Sequence, residues 1–170
     1  MTMGDAIGDE MDDLTRRVRR LEDAEEIRRL KAMYCHYCDI GYDADGIASL
    51  MTEDALWDGG RTFGVHHGRE AIREHFRGAS QRVTIARHQV MNPIIDVGVD
   101  GDDDSASGQW LLFQPCTVGG EAVWLAATYH DRYRRVDGRW LIAVTRIDVS
   151  FFTPADRNWV EQRFLPGREP

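Results

Sequence analysis

Beyond residue 83 the apolar residues stop recurring at helical intervals and begin to alternate, over four stretches separated by turn signals. VTIARHQVMNPIIDVGV (83–99), SGQWLLFQPCTV (107–118), EAVWLAATYHDRYRRV (121–136) and RWLIAVTRIDVSFF (139–152) carry the period of two that sends successive side chains to opposite faces of a strand. Gly119-Gly120 and Asp137-Gly138 suit the positive φ of tight hairpin turns, and VDGDDDSASG (99–108) is a longer hairpin loop. Four long antiparallel strands in succession make a meander, with Pro93 expected to interrupt the first.

The first half is helical. Met11, Leu14, Val18 and Leu21 keep heptad-like spacing, and Ile27, Leu30, Tyr34 and Cys38 keep helical spacing to about Ile40, which predicts two helices or one bent helix. Asp39–Gly46 reads as a turn, IASLM (47–51) as a short helix and ALWDGG as a brief strand. REAIREHFRG (69–78) places Ile72 and Phe76 four apart and stops at Gly78, a helix signature. Thr153-Pro154 resembles an N-cap and first helical residue for ADRNWVEQRF (155–164). Helices followed by a meander predict an α+β fold, with the helices packed on one face of a curved antiparallel sheet. At 170 residues this is one domain, placed at 11–165, with residues 1–10 as a disordered tail and 166–170 fraying at the other end.

Charge and composition narrow the function. A net charge of −8 opposes binding to a phosphate backbone, so nucleic acid is not an expected partner. In RRVRR (16–20) and EEIRR (25–29) the arginines are interspersed with acids along a helical pattern, as on a solvated face. No apolar run reaches the roughly 18 residues of a membrane helix, and the acidic MTMGDAIGDEMDD lacks the order of a secretion signal. The default is a cytoplasmic protein with its three cysteines as thiols. The uncovered heptad-like face suggests a homo-oligomer.

Two clusters carry chemistry. Tyr34-Cys-His-Tyr-Cys-Asp39 contains a C-x-x-C pair, but zinc wants four ligands and Cys116 is isolated in a strand. Adjacent His66 and His67 point apart on an extended segment. Redox C-x-x-C pairs open a helix, whereas this one lies in a helix's last turns. Neither a metal nor another cofactor is expected. The second cluster is ARHQVMNP (86–93), where pattern alone does not separate a catalytic His88 from an ordinary strand histidine.

The order of a helix with Y-x4-D, DGIASLMTEDALWD, a GREAIREHF helix, H-x3-NP, a G-x-W strand, YHDRYRRVDGRWLI and FFTP resembles the SnoaL-like branch of the nuclear transport factor 2-like superfamily, over roughly residues 20–155. The resemblance implies a cone-shaped α+β barrel, an apolar cavity closed by helices, and assembly as trimers or dimers. It places Asp39 at the family's catalytic Asp, with Asp43 in the following turn as a competing choice, and His88 at the catalytic His. HQVMNP looks like the corresponding stretch of scytalone dehydratase. Tyr34 matches the catalytic Tyr of bile-acid 7α-dehydratase, whose second acid is replaced here by Gln114.

The resemblance implies a cofactor-independent lyase, a dehydratase or a C–C lyase releasing a small aldehyde, acting on an apolar aromatic or steroid-like alcohol. An isomerase or cyclase with the same dyad is an alternative, as is a non-catalytic module such as the small subunit of a ring-hydroxylating dioxygenase. A carboxylate bonded to an imidazole fixes its tautomer, so His88 with Asp39 suits proton abstraction and Tyr34 suits donation to a developing oxyanion. A core tyrosine on the Ile27/Leu30 stripe explains Tyr34 equally well. On an ideal helix Asp39 also lies about 140° round from Tyr34. Trp57, Trp110, Gln114, Trp124 and Tyr129 are the expected substrate-binding residues; Phe113 is a further candidate on the face opposite Trp110. His66, His67 and His75 read as surface residues, and His130 and Arg132 as a solvated edge.

Overall fold

A computed structural model describes residues 3–169. The first helix, α1 (Met3–Asp39), runs unbroken, so the tail placed at residues 1–10 is helical from Met3 onward. Ion pairs one turn apart, Asp13 with Arg16 and Arg17 and Glu25 with Arg28, suit this continuity. Residues 7–22 are exposed all round, so Ile7, Met11, Leu14, Val18 and Leu21 form an uncovered row. From Asp23 the helix meets the domain, burying Ile27, Leu30, Tyr34, Cys35 and Cys38.

Next come α2 (Ala44–Ser49), starting three residues earlier than the IASLM pattern suggests, and β1 (Met51–Asp58). The Asp43 carboxylate caps α2 by accepting the Gly46 N–H at 3.0 Å. The chain continues through α3 (Gly60–Phe63), β2 (Val65–His67), α4 (Arg69–Arg77), α5 (Ala79–Arg82), β3 (Val83–Ala86), β4 (Gln89–Val97), β5 (Ser105–Val118), β6 (Glu121–Val136) and β7 (Arg139–Pro154). The sheet order is β2–β1–β7–β6–β5–β3, with β4 also on β5. β1 runs parallel to β7 and every other pairing is antiparallel, so the sheet is mixed and its path open, not a closed barrel. The α+β class holds. Register shifts at Ala126/Ala127 and Arg132/Tyr133 bend the β6–β7 pair, and inward residues of β5, β6 and β7 face a cavity under α1.

Two local expectations fail for physical reasons. The strand at 83–99 breaks at Arg87-His88, not at Pro93, which lies at a register shift between Met91 and Ile94 beside Asn92 at φ 50°. The bulge absorbs the missing proline donor. The helix at 155–164 does not form, because Thr153 pairs with Trp124 and Pro154 with Val123, making both strand residues. Asn158 Oδ1 then accepts the N–H groups of Val160 and Glu161, local bonding that draws the backbone into turns. The end expected to fray is tied down. Arg168 Nη1 donates to Thr62 O at 2.6 Å and the Thr62 hydroxyl donates to Arg168 O at 3.0 Å. Among the described residues no helix is long and apolar enough to cross a membrane.

Candidate active site

α1 ends at Asp39, and its carboxylate fills the gap between β3 and β4. Arg87 N–H reaches Pro115 O at 3.2 Å, while His88 N–H donates to both Asp39 carboxylate oxygens, at 3.0 and 3.2 Å. The His88 ring turns to the same carboxylate, with Nδ1 2.7 Å from Oδ1. One side chain thereby fixes both the backbone and the ring of its partner. Burial opposes the charge on Asp39, but the hydrogen bonds from the ring and backbone of His88, with the charges of His88 and Arg87, bring its pKa below the usual aspartate value. An ionised carboxylate only accepts, so Nδ1 carries the proton, and it is the neutral ring whose Nε2 presents a lone pair. Asp43, the competing choice, is occupied in capping α2.

The His88 side chain is 5% exposed and that of Asp39 22%. His88 lines a cavity of about 220 Å³ whose walls include Tyr34, Cys38, Tyr42, Trp57, Gln114 and Tyr129. Asp39 does not line it. This resolves the angular problem on α1, because Tyr34 faces the cavity directly while Asp39 acts on it through the His88 ring. The Tyr34 hydroxyl accepts Trp57 Nε1–H at 3.0 Å and keeps its own O–H as a donor. Burial, and then Cys38, push its pKa well above the ordinary value, with the Trp57 bond offsetting only part. Tyr34 is therefore a neutral phenol at physiological pH.

Of the five expected binding residues, Trp57, Gln114 and Tyr129 line the cavity, and Trp110 and Trp124 do not. Trp124 lies on the outer face of β6, alternating with inward Val123 and Leu125, and stacks on Phe113 at 5.5 Å. Trp110 does face inward, but its Nε1–H donates to Tyr133 Oη at 3.0 Å in a separate buried cluster. Tyr133 in turn donates to Asp131 Oδ2 at 2.8 Å, and Lys31 Nζ lies 2.8 Å from the same oxygen and 3.4 Å from the Tyr129 ring centroid. Both side chains of the Lys31–Asp131 pair are 0% exposed. Gly108 makes this cluster possible, since a Cβ there would stand 2.9 Å from the Tyr133 ring.

Three further residues at the site escaped the sequence pattern. Tyr42 occupies the turn after α1 at φ 59°, stacks on Phe76 at 5.9 Å and meets the His88 ring edge-on at 6.4 Å. His66 and His75 are half-buried, their rings 4.0 Å apart beside Trp57, and only His67 is the surface residue expected of all three. His75 lines the cavity, and a signal for it existed, since it sits three residues after Ile72 and next to Phe76 on the apolar stripe of α4. Burial, reinforced by His66 and Arg82, pushes its pKa down to about 4. His130 is exposed and pairs with Asp148 at 3.2 Å.

Cys35 and Cys38 are buried thiols, the former pushed up to about 11 by burial and the latter well above its ordinary value for the same reason. His36 faces outward. Among the described residues no group of three or more His, Cys, Asp or Glu side chains converges as a metal site would.

Residues 19–146 match the family described as a SnoaL-like domain. A hexachlorocyclohexane dehydrochlorinase from Novosphingobium barchaimii superposes with a TM-score of 0.73 at 21% identity, over 88% of this chain and 99% of that one. A provisionally named scytalone dehydratase from Novosphingobium aromaticivorans gives 0.71 at 21% identity, over 81% and 91%. An NTF2-like protein with a cystatin-like fold from the same organism gives 0.67 at 25% identity, over 81% and 88%.

Proposed function

The chain belongs to the SnoaL-like domain family, and from that premise we propose that it is a cofactor-independent lyase whose base is His88, oriented by Asp39. The observation that carries the proposal is the 2.7 Å contact between Nδ1 and Oδ1, made by a ring that lines a cavity. A non-catalytic module needs no such pairing of ring and carboxylate at a cavity wall.

In the proposed reaction Nε2 takes a proton from an activated carbon. The C–H electron pair forms the new double bond, and the C–O bond breaks as the hydroxyl departs. The imidazolium returns its proton to that oxygen, so water leaves and the dyad is restored. Tyr34 hydrogen-bonds the oxygen on which charge develops; its raised pKa favours donating a hydrogen bond over losing the proton outright. Gln114 and Tyr42 orient the substrate. C–C cleavage is the variant in which Nε2 takes an alcohol O–H proton, the C–C bond breaks as the aldehyde C=O forms, and the released carbon is reprotonated.

Volume supports a small substrate. An apolar cavity of ~150 Å³ holds benzene, so about 220 Å³ suits an aromatic alcohol of one or two rings better than a steroid. The test is His88→Ala in a screen of aromatic alcohols read by mass spectrometry. Removing a general base costs roughly 10²–10⁴ in rate. The expected result is that loss with an unchanged circular dichroism spectrum, and near-wild-type turnover overturns the proposal. We further propose self-association through the exposed α1 row.

A further inference from the structure

The ionisable lining of the cavity is one-sided. Among the described residues His75, Arg82, His88 and Arg168 reach it and no carboxylate side chain does, in a chain whose net charge is −8. Some arginines away from it are neutralised in place, Arg73, Arg77, Arg134, Arg135 and Arg146 pairing with acids, while others, such as Arg61 and Arg69, are not. At the cavity Arg168 is held by the carbonyl of Thr62 and Arg82 folds back over Gly78, with its Nη1 3.4 Å from where a Cβ would stand. Among the described residues neither is matched with a carboxylate.

His75 is joined to the dyad through the cavity's aromatic residues. An aromatic wall leads from His88 to Tyr42 at 6.4 Å, from Tyr42 to Phe76 at 5.9 Å and from Phe76 to His75 at 5.0 Å. His75 has Arg82 near enough to disfavour its protonation, so it stands as a neutral imidazole able to donate one hydrogen bond. Beside it, His66 Nε2 is buried with no partner.

We infer that the cavity holds an anion subsite, in which Arg82, Arg168 and His75 receive a carboxylate carried by the ring-bearing substrate. The assignment rests on the cavity being the substrate pocket, as proposed above, but does not need His88 to be the base. It narrows the substrate to an aromatic alcohol that also bears an acid group.

Calorimetric titration of the full chain with 3-phenylpropanoate and its uncharged isostere 3-phenylpropanamide tests this. Charge-assisted hydrogen bonds are about twice as strong as neutral ones, so the carboxylate is expected to bind about tenfold more tightly, with the margin shrinking at high salt. Arg82→Gln, at an exposed position, is expected to cut the preference to about threefold, and Arg82→Gln/Arg168→Gln to abolish it while the amide still binds. His88→Ala is expected to keep the preference, which separates this assignment from the catalytic one. Equal affinities in the wild type, a preference that survives Arg82→Gln in full or is lost in His88→Ala, or no binding of either compound overturns the subsite.

Discussion

Asp39→Asn probes the dyad with minimal loss of shape. The asparagine oxygen can still accept the His88 N–H, so the junction of β3 and β4 should survive and the effect should fall on the ring. Two things are lost. Opposite unit charges about 4 Å apart interact by about 4 kcal/mol at an effective dielectric of 20; with the carboxylate 22% exposed, solvent screening leaves about 3 kcal/mol. That corresponds to about a hundredfold in rate. The side-chain NH2 of asparagine also competes for Nδ1, which adds population of the wrong tautomer and up to about another tenfold loss, short of the roughly 10⁴ that the equivalent change costs a serine protease triad.

The expectation is therefore a kcat lower by about 10²–10³ with KM little changed. Nitrogen-15 NMR of the His88 ring reads the same event without any substrate, with a single Nδ1–H tautomer in the wild type and a mixture in Asp39→Asn. The pH dependence follows from the sign of the shift. Because Asp39 is depressed in the fold, its contribution to stability is present above the ordinary aspartate pKa of about 3.9 and is lost as pH falls through the folded value. Acid melting curves of wild type and variant should diverge above that range and converge below it. A kcat within threefold of wild type, or an unchanged tautomer, refutes the reasoning.

Tyr34→Phe removes the donor and leaves Trp57 Nε1–H without its acceptor; kcat should fall about tenfold to a hundredfold with stability lower by about 1–3 kcal/mol in urea melts. Lys31→Met strands the Asp131 charge in the core and should cost about 3–5 kcal/mol, whereas Lys31→Met with Asp131→Leu should recover most of it, since a buried pair is often replaceable by apolar residues. Val18→Glu places a charge in the middle of the exposed α1 row and should lower the mass seen by light scattering while leaving the melting temperature of the domain nearly unchanged.

Strand periodicity and hairpin chemistry were legible because they are local. The ladder of β5 with β6 runs without a break from Ser105–Arg134 to Val118–Glu121, as alternation and the Gly119-Gly120 turn require. Thr153-Pro154 misled because its helix-cap chemistry is outweighed by pairing with Trp124 and Val123, partners some thirty residues away. Trp124 and Tyr129 were both expected in the cavity, although residues five apart on one strand face opposite ways; only Tyr129 lines it. Trp110 was different. It sits on the correct face, and only its bond to Tyr133 and the buried Lys31–Asp131 pair beyond it, contacts across three elements, keep it from the cavity. His75 was masked by the charged residues around it in REAIREHFR, though its position on the α4 stripe carried the information.

The placement of Asp39 has an electrostatic consequence that its identity alone does not disclose. As the last residue of α1 it sits where the helix macrodipole is negative, a position that disfavours a carboxylate by about 0.3–1 kcal/mol. Its pKa is nevertheless lowered, because the hydrogen bonds from His88 and the charges of His88 and Arg87, whose Nη1 donates to the Asp39 carbonyl at 3.2 Å, outweigh burial. The cost serves the ring. In the proposed reaction a carboxylate and a helix C-terminus both present negative potential to His88, where positive charge would form as a proton arrives from substrate. A helix continuing past Asp39 would carry Tyr42 away from the wall it shares with Phe76 and His88. The turn that starts at Asp39 is thus part of the proposed catalytic apparatus, and the positive φ of Tyr42 is the local strain by which the chain keeps it.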